Sequence, residues 1–461
     1  MKTVFITSFH AHISRNILAT DVLKILKAQK ELRVVLVVPN YKVDYFKGYF
    51  GGGNVIVHGM GLYQASKNYT AGLFFKRLEL MLGDSETRRL KKRYKFYRDK
   101  KLLYFLASMA VGFTGHSYLV RKLIRRLDFW FSPKEFFLDA IDRYQPSLIF
   151  STDIFDENDV SLMQAAKVRR VPILGMVRSW DNPSQYIMRI LPDNLLVGSE
   201  EMKKEILELH DYPADRIKVV GQPHYDRYLR GPTKSKKEFF SEFGLDTNKP
   251  LIFFTPLGDK FVKVNDIDQY AMSILGTLNA QILVRFPPDE KLTLVNFVKP
   301  PNMVIDKPGA VFKEKEFTDR EIRREDDDRL INSIYWSDVV ISGPTSICLD
   351  GAFFDKPIVA VHLYPTPRSF FDGVYCYCFT HIQKLLKTKG IRYVTTKEEL
   401  FSTIQEYLRN PKSDREGRER IRVQWFSHAD GTAAERVATA ILVALGKETA
   451  SGRGFASTIT A

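Results

Sequence analysis

The segment DVVISGPTSICLDGAFFDKPIVAV, residues 338–361, reads as a strand that breaks at SGPTS and turns into a helix near Ser346. Gly343 allows close approach to the backbone, Thr345 and Ser346 add hydroxyls, and a helix start offers N–H groups and positive dipole to an anion. Such a turn can hold a diphosphate without a Walker-type lysine. Asp350, one turn into the helix, could accept hydrogen bonds from a ribose. An ordinary βα turn with a serine cap accounts for the same residues, so the chemistry needs support from elsewhere. Arg285 offers some, because it ends the apolar run of QILVRFPP, where a guanidinium can clamp phosphate through two parallel bonds. Thr255 and Gly258, at the end of LIFFTPLG, are expected to bring their loop to the same ligand.

The first half carries groups that handle protons. His10 and His12 follow the first apolar run, in SFHAHISRN, and either could take a proton from a hydroxyl. Arg15 and Asn16, where a helix begins, could bind a phosphate or carboxylate, or simply make the turn. STDIFDEND puts Asp153, Asp156, Glu157 and Asp159 after another strand, as a general base, as partners for sugar hydroxyls, or as a helix cap. In RSWDNPSQ, Trp180 can stack on a sugar ring, Asp181 and Asn182 can bind hydroxyls, and Pro183 stops the strand. His10, His12, Asp153 and Asp181 are the catalytic candidates; Arg15, Asn16, Asp156, Trp180 and Asn182 are the acceptor-binding ones. No metal site is expected. The two histidines lack a third ligand, and the acids Glu325, Asp326, Asp327 and Asp328 suit a helix N-terminus. Asp372, in HLYPTPRSFFDG, could orient a donor group.

Strand ends are the common address of these residues, and the elements that would place them alternate along the chain. TVFITSF, LRVVLVVP, NVIVHGM, PSLIFSTD, VPILGMV and NLLVGS form one series of short apolar runs separated by helical stretches. LIFFTPLG, QILVRFPP, NMVID, DVVISGP, PIVAVHL and RYVTT form a second, after a connector rich in Pro, Gly and Lys around 212–231. Continuous apolar strands joined by helices predict buried parallel sheets. The expected fold is α/β: two Rossmann-like domains, 1–215 and 216–445, facing across a cleft, with a flexible tail at 446–461. The last helix, about 433–445, could cross back to the first domain. A chain of 461 residues that is 44% hydrophobic and 27% charged has core enough for this and is far from disorder. Three cysteines, two of them at 376 and 378, form no closed disulfide set and suit a reducing compartment.

Charge adds a partner. Lys and Arg total 69 against 54 Asp and Glu, a formal charge of +15. The stretch RRLKKRYKFYRDKK, residues 88–101, has nine basic residues and one acid, and LLYFLASMAVGFTG follows it. Further basic residues at Arg121, Lys122, Arg125 and Arg126 precede the aromatic FWFSPKEFF. This helical insertion, about 63–138, is too short in apolar length to span a bilayer and suits an anionic membrane surface. A solvated basic helix followed by a core helix is the plainer account. Nucleic acid is not expected as a partner, since no reading element accompanies the charge. The MKTVFITSF start lacks a signal-peptide pattern, so a cytoplasmic protein, peripheral to the inner face of the membrane, is expected.

The strand–SGPTS–helix–DKPIV stretch, ILVRFPP and the connector IKVVGQPHYDRY together resemble the donor domain of GT-B glycosyltransferases of bacterial surface-polysaccharide type, near the nucleotide-sugar 2-epimerase and CDP-glycerol glycerophosphotransferase-like families. The resemblance implies a nucleotide-sugar donor on the second domain, a glycan or lipid-linked acceptor on the first, and no cofactor or metal. It implies that the turn of Gly343, Thr345 and Ser346 meets the donor's phosphates; Thr255, Gly258, Arg285 and Asp350 are expected donor contacts from their places at strand ends and in the helix. Arg285-Phe286-Pro287 stands where such families often have Arg-x-His-Pro, and the epimerase donor-loop glutamate pair is absent, which speaks against epimerisation. Transfer of glycerol phosphate from CDP-glycerol is the alternative within enzymes. A nonenzymatic membrane- or glycan-binding protein of the same fold is the alternative outside them.

Overall fold

The computed structural model describes residues 1–63, 70–82, 85–99, 102, 106, 109, 117–262, 264–288, 291–312 and 320–446. Two units form: residues 1–226 with 427–461, and residues 227–426.

The first unit holds a parallel sheet of β1 (Lys2–Thr7), β2 (Leu32–Pro39), β3 (Val55–Met60), β4 (Leu148–Ser151), β5 (Ile173–Met176), β6 (Asn194–Val197) and β7 (Ile217–Val219), in the order β3-β2-β1-β4-β5-β6-β7. Successive residues of its central strands feed opposite faces. Val4 and Ile6 join Val34, Leu36 and Val38 in one core, whereas Phe5 joins Val35 and Val37 in the other. Burial on both faces explains why these runs are continuously apolar rather than alternating.

The second unit repeats the plan with β8 (Leu251–Thr255), β9 (Gln281–Arg285), β10 (Met303–Asp306), β13 (Val339–Ser342), β14 (Ile358–Val361) and β15 (Arg392–Val394), in the order β10-β9-β8-β13-β14-β15. A small antiparallel pair, β11 (Ala310–Val311) and β12 (Arg320–Glu321), stands apart.

Both ends of the expected second domain, 216–445, fall with the first unit instead. Ile217–Val219 of the connector pairs with β6 as an edge strand. The helix Ala433–Ala444 buries Val437, Ala438 and Ile441 in the first unit's core. Asp226 fixes that helix by accepting from the backbone N–H groups of Ala433 and Ala434, at 3.1 and 2.8 Å. Four orphan N–H groups begin any helix, and here one carboxylate satisfies two of them. Of the expected tail, residues 447–461 lie outside the described residues.

Between β3 and β4 the described residues are helical, at Thr70–Met81, Glu86–Asp99, Tyr118–Phe131 and Glu135–Tyr144. Most of the apolar stretch 102–115 lies outside the described residues.

Candidate functional site

Strand order reverses once in each sheet, between β1 and β4 and between β8 and β13. Open parallel sheets bind ligands at such switch points, beyond the carboxyl ends of the strands. In both units a hydroxyl pair bridges this point. Thr7 Oγ1 lies 2.9 Å from Thr152 Oγ1 in the first. Thr255 Oγ1 donates to Ser342 Oγ at 2.7 Å in the second.

In the second unit the bridge continues into the SGPTS turn, with Ser342 Oγ 2.8 Å from Thr345 Oγ1. Thr345 Oγ1 also accepts from the Ile347 N–H at 3.3 Å. Ser346, which begins the helix Ile347–Phe353, is exposed and its side chain makes no capping bond. Gly343 is demanded by packing: a Cβ there would stand 2.2 Å from Leu257 Cδ2. The two loops at the switch point thus close on each other, and the turn's shape depends on a missing side chain.

Three expected donor residues have other duties. Arg285 is buried, ion-paired with Asp306 and donating from Nη2 to the Asp326 carbonyl at 2.7 Å. Burial pulls its guanidinium below the usual value despite Asp306, and both ends of its fork are spent inside the protein. Gly258 has φ +84°, which suits glycine, but its N–H is taken by Asp268 Oδ2 at 2.9 Å. Asp268 also accepts from Leu257 N at 2.9 Å, so this buried carboxylate shapes the whole TPLG loop. Asp350 is buried as well and turns no surface to a ribose. Asp372 accepts from Ser369 Oγ at 2.6 Å within its own loop.

In the first unit Asp153 follows β4 and pairs with Arg178, whose Nε donates to Oδ2 at 2.6 Å. Its Oδ1 is enclosed without a hydrogen-bond partner among the described residues. Burial raises the Asp153 carboxyl, with Arg178 opposing. Burial alone would lower the Arg178 guanidinium, but Asp153 and Asp181 outweigh it and hold it above its usual value. His10 Nδ1 accepts from the His12 N–H at 3.2 Å, capping a one-turn helix, and the two rings stack at 5.1 Å. That cap consumes the Nδ1 lone pair. Neutral His10 therefore carries its proton on Nε2 and acts as a donor.

Asp181, expected as catalytic, braces its own turn: Ser179 Oγ donates to one oxygen and Gln185 Nε2 to the other. Asn182 is buried and accepts from Ser179 N at 2.9 Å. Asp156 caps the helix Glu157–Val168, accepting from Asn158 N at 2.8 Å. Trp180 is half-buried against the second core of this unit. Arg15 and Asn16 are buried in the turn Ser14–Leu18. Asp159 belongs to the acid cluster from which the sequence leads one to expect a general base, a hydroxyl partner or a cap. It is buried, accepts from Thr7 Oγ1 at 2.7 Å and from Ser151 Oγ at 2.6 Å, and burial beside Asp156 raises its carboxyl strongly.

The acids at 325–328 behave as a helix start with cationic partners: Arg227 pairs with Asp327 at 2.7 Å and also with Asp328. Among the described residues no group of three or more His, Cys, Asp or Glu could hold a metal ion.

Residues 176–443 match the sequence family described as CDP-Glycerol:Poly(glycerophosphate) glycerophosphotransferase. The chain belongs to that family. This CDP-glycerol glycerophosphotransferase family member is thus an enzyme of the nucleotide-activated transferase class in cell-surface polysaccharide synthesis, as the resemblance implied. No curated protein matches it in sequence.

Solved structures share its fold at low identity. UDP-GlcNAc 2-epimerase from Neisseria meningitidis, bound to UDP-GlcNAc, is 11% identical over 96% of this chain and 100% of that chain, with a TM-score of 0.52. The S. aureus MnaA–UDP structure is 13% identical over 97% and 99%, also with a TM-score of 0.52. UDP-GlcNAc 2-epimerase from Methanocaldococcus jannaschii, in complex with UDP-GlcNAc and UDP, gives 13%, 96%, 100% and 0.52. At that identity the likeness establishes the GT-B fold of this glycerophosphotransferase family member.

Proposed function

We propose that the second unit binds a nucleotide-sugar at its switch point and that the first unit presents a glycan or lipid-linked acceptor hydroxyl. The observation that carries the reading is the hydroxyl-lined turn Thr255–Ser342–Thr345, closed by Gly343 against Leu257, in a chain of this family. The structural relatives that hold UDP-GlcNAc or UDP support a nucleotide diphosphate as the anion. Charge builds on the nucleotide as the bond to the transferred group breaks, and Ser346 and the backbone of the turn would stabilise it. His12 or Asp153 would take the proton of the attacking hydroxyl, while His10 donates a hydrogen bond from Nε2. No metal or cofactor enters this scheme. The protein would work on the inner face of an anionic membrane.

The family's own description favours a second reading, transfer of glycerol phosphate from CDP-glycerol. The released nucleotide separates the two. Glycosyl transfer from a UDP-sugar breaks the bond to the sugar carbon and frees UDP. Glycerol phosphate transfer breaks the phosphoanhydride and frees CMP. Incubation with nucleotide sugars and with CDP-glycerol, in the presence and absence of EDTA, reads both the donor and any metal dependence. No nucleotide bound or released at millimolar donor would remove both readings.

A further inference from the structure

The helix Tyr118–Phe131 is docked by its charged side. Arg121 pairs with Asp211, Arg125 donates to the carbonyls of Met188 and His210 at 2.9 and 2.8 Å, and Asp128 receives both arms of Arg189 at 2.9 Å. Asp128 and Arg189 are buried. The opposite side carries Leu119, 72% exposed, Leu123, 54%, and Trp130, 66%, outward; Phe131, at the helix end and roughly 100° further round, is 65% exposed. At 100° per residue, Leu119, Leu123 and Trp130 fall within roughly 40° of arc. Lys122 and Arg126, both exposed, adjoin this stripe. An amphipathic helix packed on a soluble protein normally turns its apolar face inward; this one turns Ile124 inward beside Phe75, Leu82 and Ile187 but sends Leu119, Leu123 and Trp130 out.

The neighbouring helix Glu86–Asp99 changes the expected role of the cationic cluster. Arg88 is buried and Thr87 beside it is buried too, so part of that run belongs to the interior, while Arg89, Arg93 and Arg98 are exposed. Leu102, Leu106 and Met109 are exposed further along. Among the described residues no helix is long and apolar enough to cross a membrane.

We propose that the outward face of Tyr118–Phe131 is the membrane-contacting surface, with Leu119, Leu123, Trp130 and Phe131 entering the headgroup–acyl boundary of an anionic bilayer and Lys122 and Arg126 on its phosphates. The proposal rests on the membrane-surface reading above and assigns it a face. The occupant is a bilayer because the stripe joins exposed leucines, a tryptophan suited to the interface and cations suited to anionic headgroups. A net charge of +15 complements that surface. The charged docking side explains how the face is held without its apolar residues: the helix is anchored by ion pairs and carbonyl contacts, so the leucines are not needed for folding.

The test is co-sedimentation of the full chain with vesicles of equal parts phosphatidylcholine and phosphatidylglycerol, against phosphatidylcholine alone, for the wild type and for L119S/L123S/W130S. The triple variant is expected to lose about tenfold or more in binding to anionic vesicles and to keep the wild-type unfolding midpoint. A conservative check uses Trp130→Phe, which should still bind but lose the vesicle-induced blue shift of tryptophan emission seen in the wild type. Wild type bound with the triple variant bound equally, or a blue shift unchanged in Trp130→Phe, overturns the assignment of the face and leaves membrane association standing. Wild type that ignores anionic vesicles removes both the face and the membrane reading. A second copy of the chain as occupant would show as a dimer in solution that the triple variant dissolves, and would overturn the bilayer.

Discussion

Arg88, the first residue of the most basic stretch in the sequence, is buried and donates from Nη2 to the carbonyl of Pro183 at 3.0 Å. The same nitrogen meets the Tyr186 carbonyl, while Ser85 Oγ donates to the Ser184 carbonyl at 2.5 Å. Lys91 Nζ donates to Gln185 Oε1 at 2.6 Å, and Gln185 in turn holds Asp181. The helix Glu86–Asp99 therefore grips the segment that begins at Trp180 and Asp181. A residue that reads as a membrane-binding charge is a brace for a candidate acceptor loop.

Replacing Arg88 should accordingly cost folding stability. Arg88→Met leaves buried carbonyls unpaired, and roughly 1–3 kcal/mol is expected from leaving such acceptors unsatisfied. Arg93→Gln, on the exposed side of the same helix, should change stability by less than about 0.5 kcal/mol. Urea unfolding of the two variants measures the contrast; equal, small effects would mean the Arg88 contacts do not hold the loop.

Gly343 offers a reciprocal test of the phosphate turn. A Cβ at 343 would press on Leu257 at 2.2 Å, so Gly343→Ala must move either the turn or the TPLG loop. Overpacking of this kind costs about 1–3 kcal/mol. Donor affinity should fall with it, and Leu257→Ala in the same chain should recover part of both losses by vacating the space. Recovery of stability without recovery of donor binding would show that the turn itself does not touch the donor.

Arg285 distinguishes an internal ion pair from a phosphate clamp. Its partner Asp306 sits opposite it in the β9–β10 register. Arg285→Gln should destabilise by less than the roughly 3–5 kcal/mol of a buried charge left alone, because Asp306 keeps Arg329 at 3.5 Å, and Asp306→Asn in addition should return part of that loss. A direct phosphate contact would instead raise the donor's KM in a protein of near-normal stability. Unfolding and initial-rate measurements on the same preparations separate these outcomes.

Arg285 shows where sequence stops informing. Its place at a strand end was readable, because QILVRFPP is an apolar run stopped by prolines. That the end of NMVID would lie beside it depends on which strands are neighbours, which local pattern does not encode. Asp268 was missed for a related reason: in IDQYAM a lone acid among apolar residues is a visible signal of a buried role, but its partners, the N–H groups of Leu257 and Gly258, belong to a loop ten residues earlier. Both switch-point bridges were half legible. FITS and FSTD, and likewise FFTP and VISG, end apolar strands in hydroxyl residues; only strand order makes each pair adjacent. The edge strand β7 escaped notice because three residues inside a connector rich in Pro and Gly carry too little apolar pattern. The two parallel sheets themselves were plain, since a strand buried on both faces must be apolar throughout.

Asp159 gives the last prediction, through pH. Thr7 and Ser151 donate to its Oδ1, and burial beside Asp156 holds its carboxyl well above the usual carboxylate range. In the unfolded chain the group titrates near its ordinary value of about 3.9. Between that value and the raised one, the native protein binds a proton that the unfolded chain does not. Stability contributed by this group is therefore present at low pH and falls as pH rises through that window, after which the whole cost of the buried charge is carried. Asp159→Asn retains Oδ1 as an acceptor for Thr7 and Ser151 and cannot ionise. It should be more stable than the wild type at neutral pH, by a margin that narrows as pH is lowered toward about 4. Urea unfolding of both proteins across that range reads the difference directly, and a margin independent of pH would mean that Asp159 is not the titrating group.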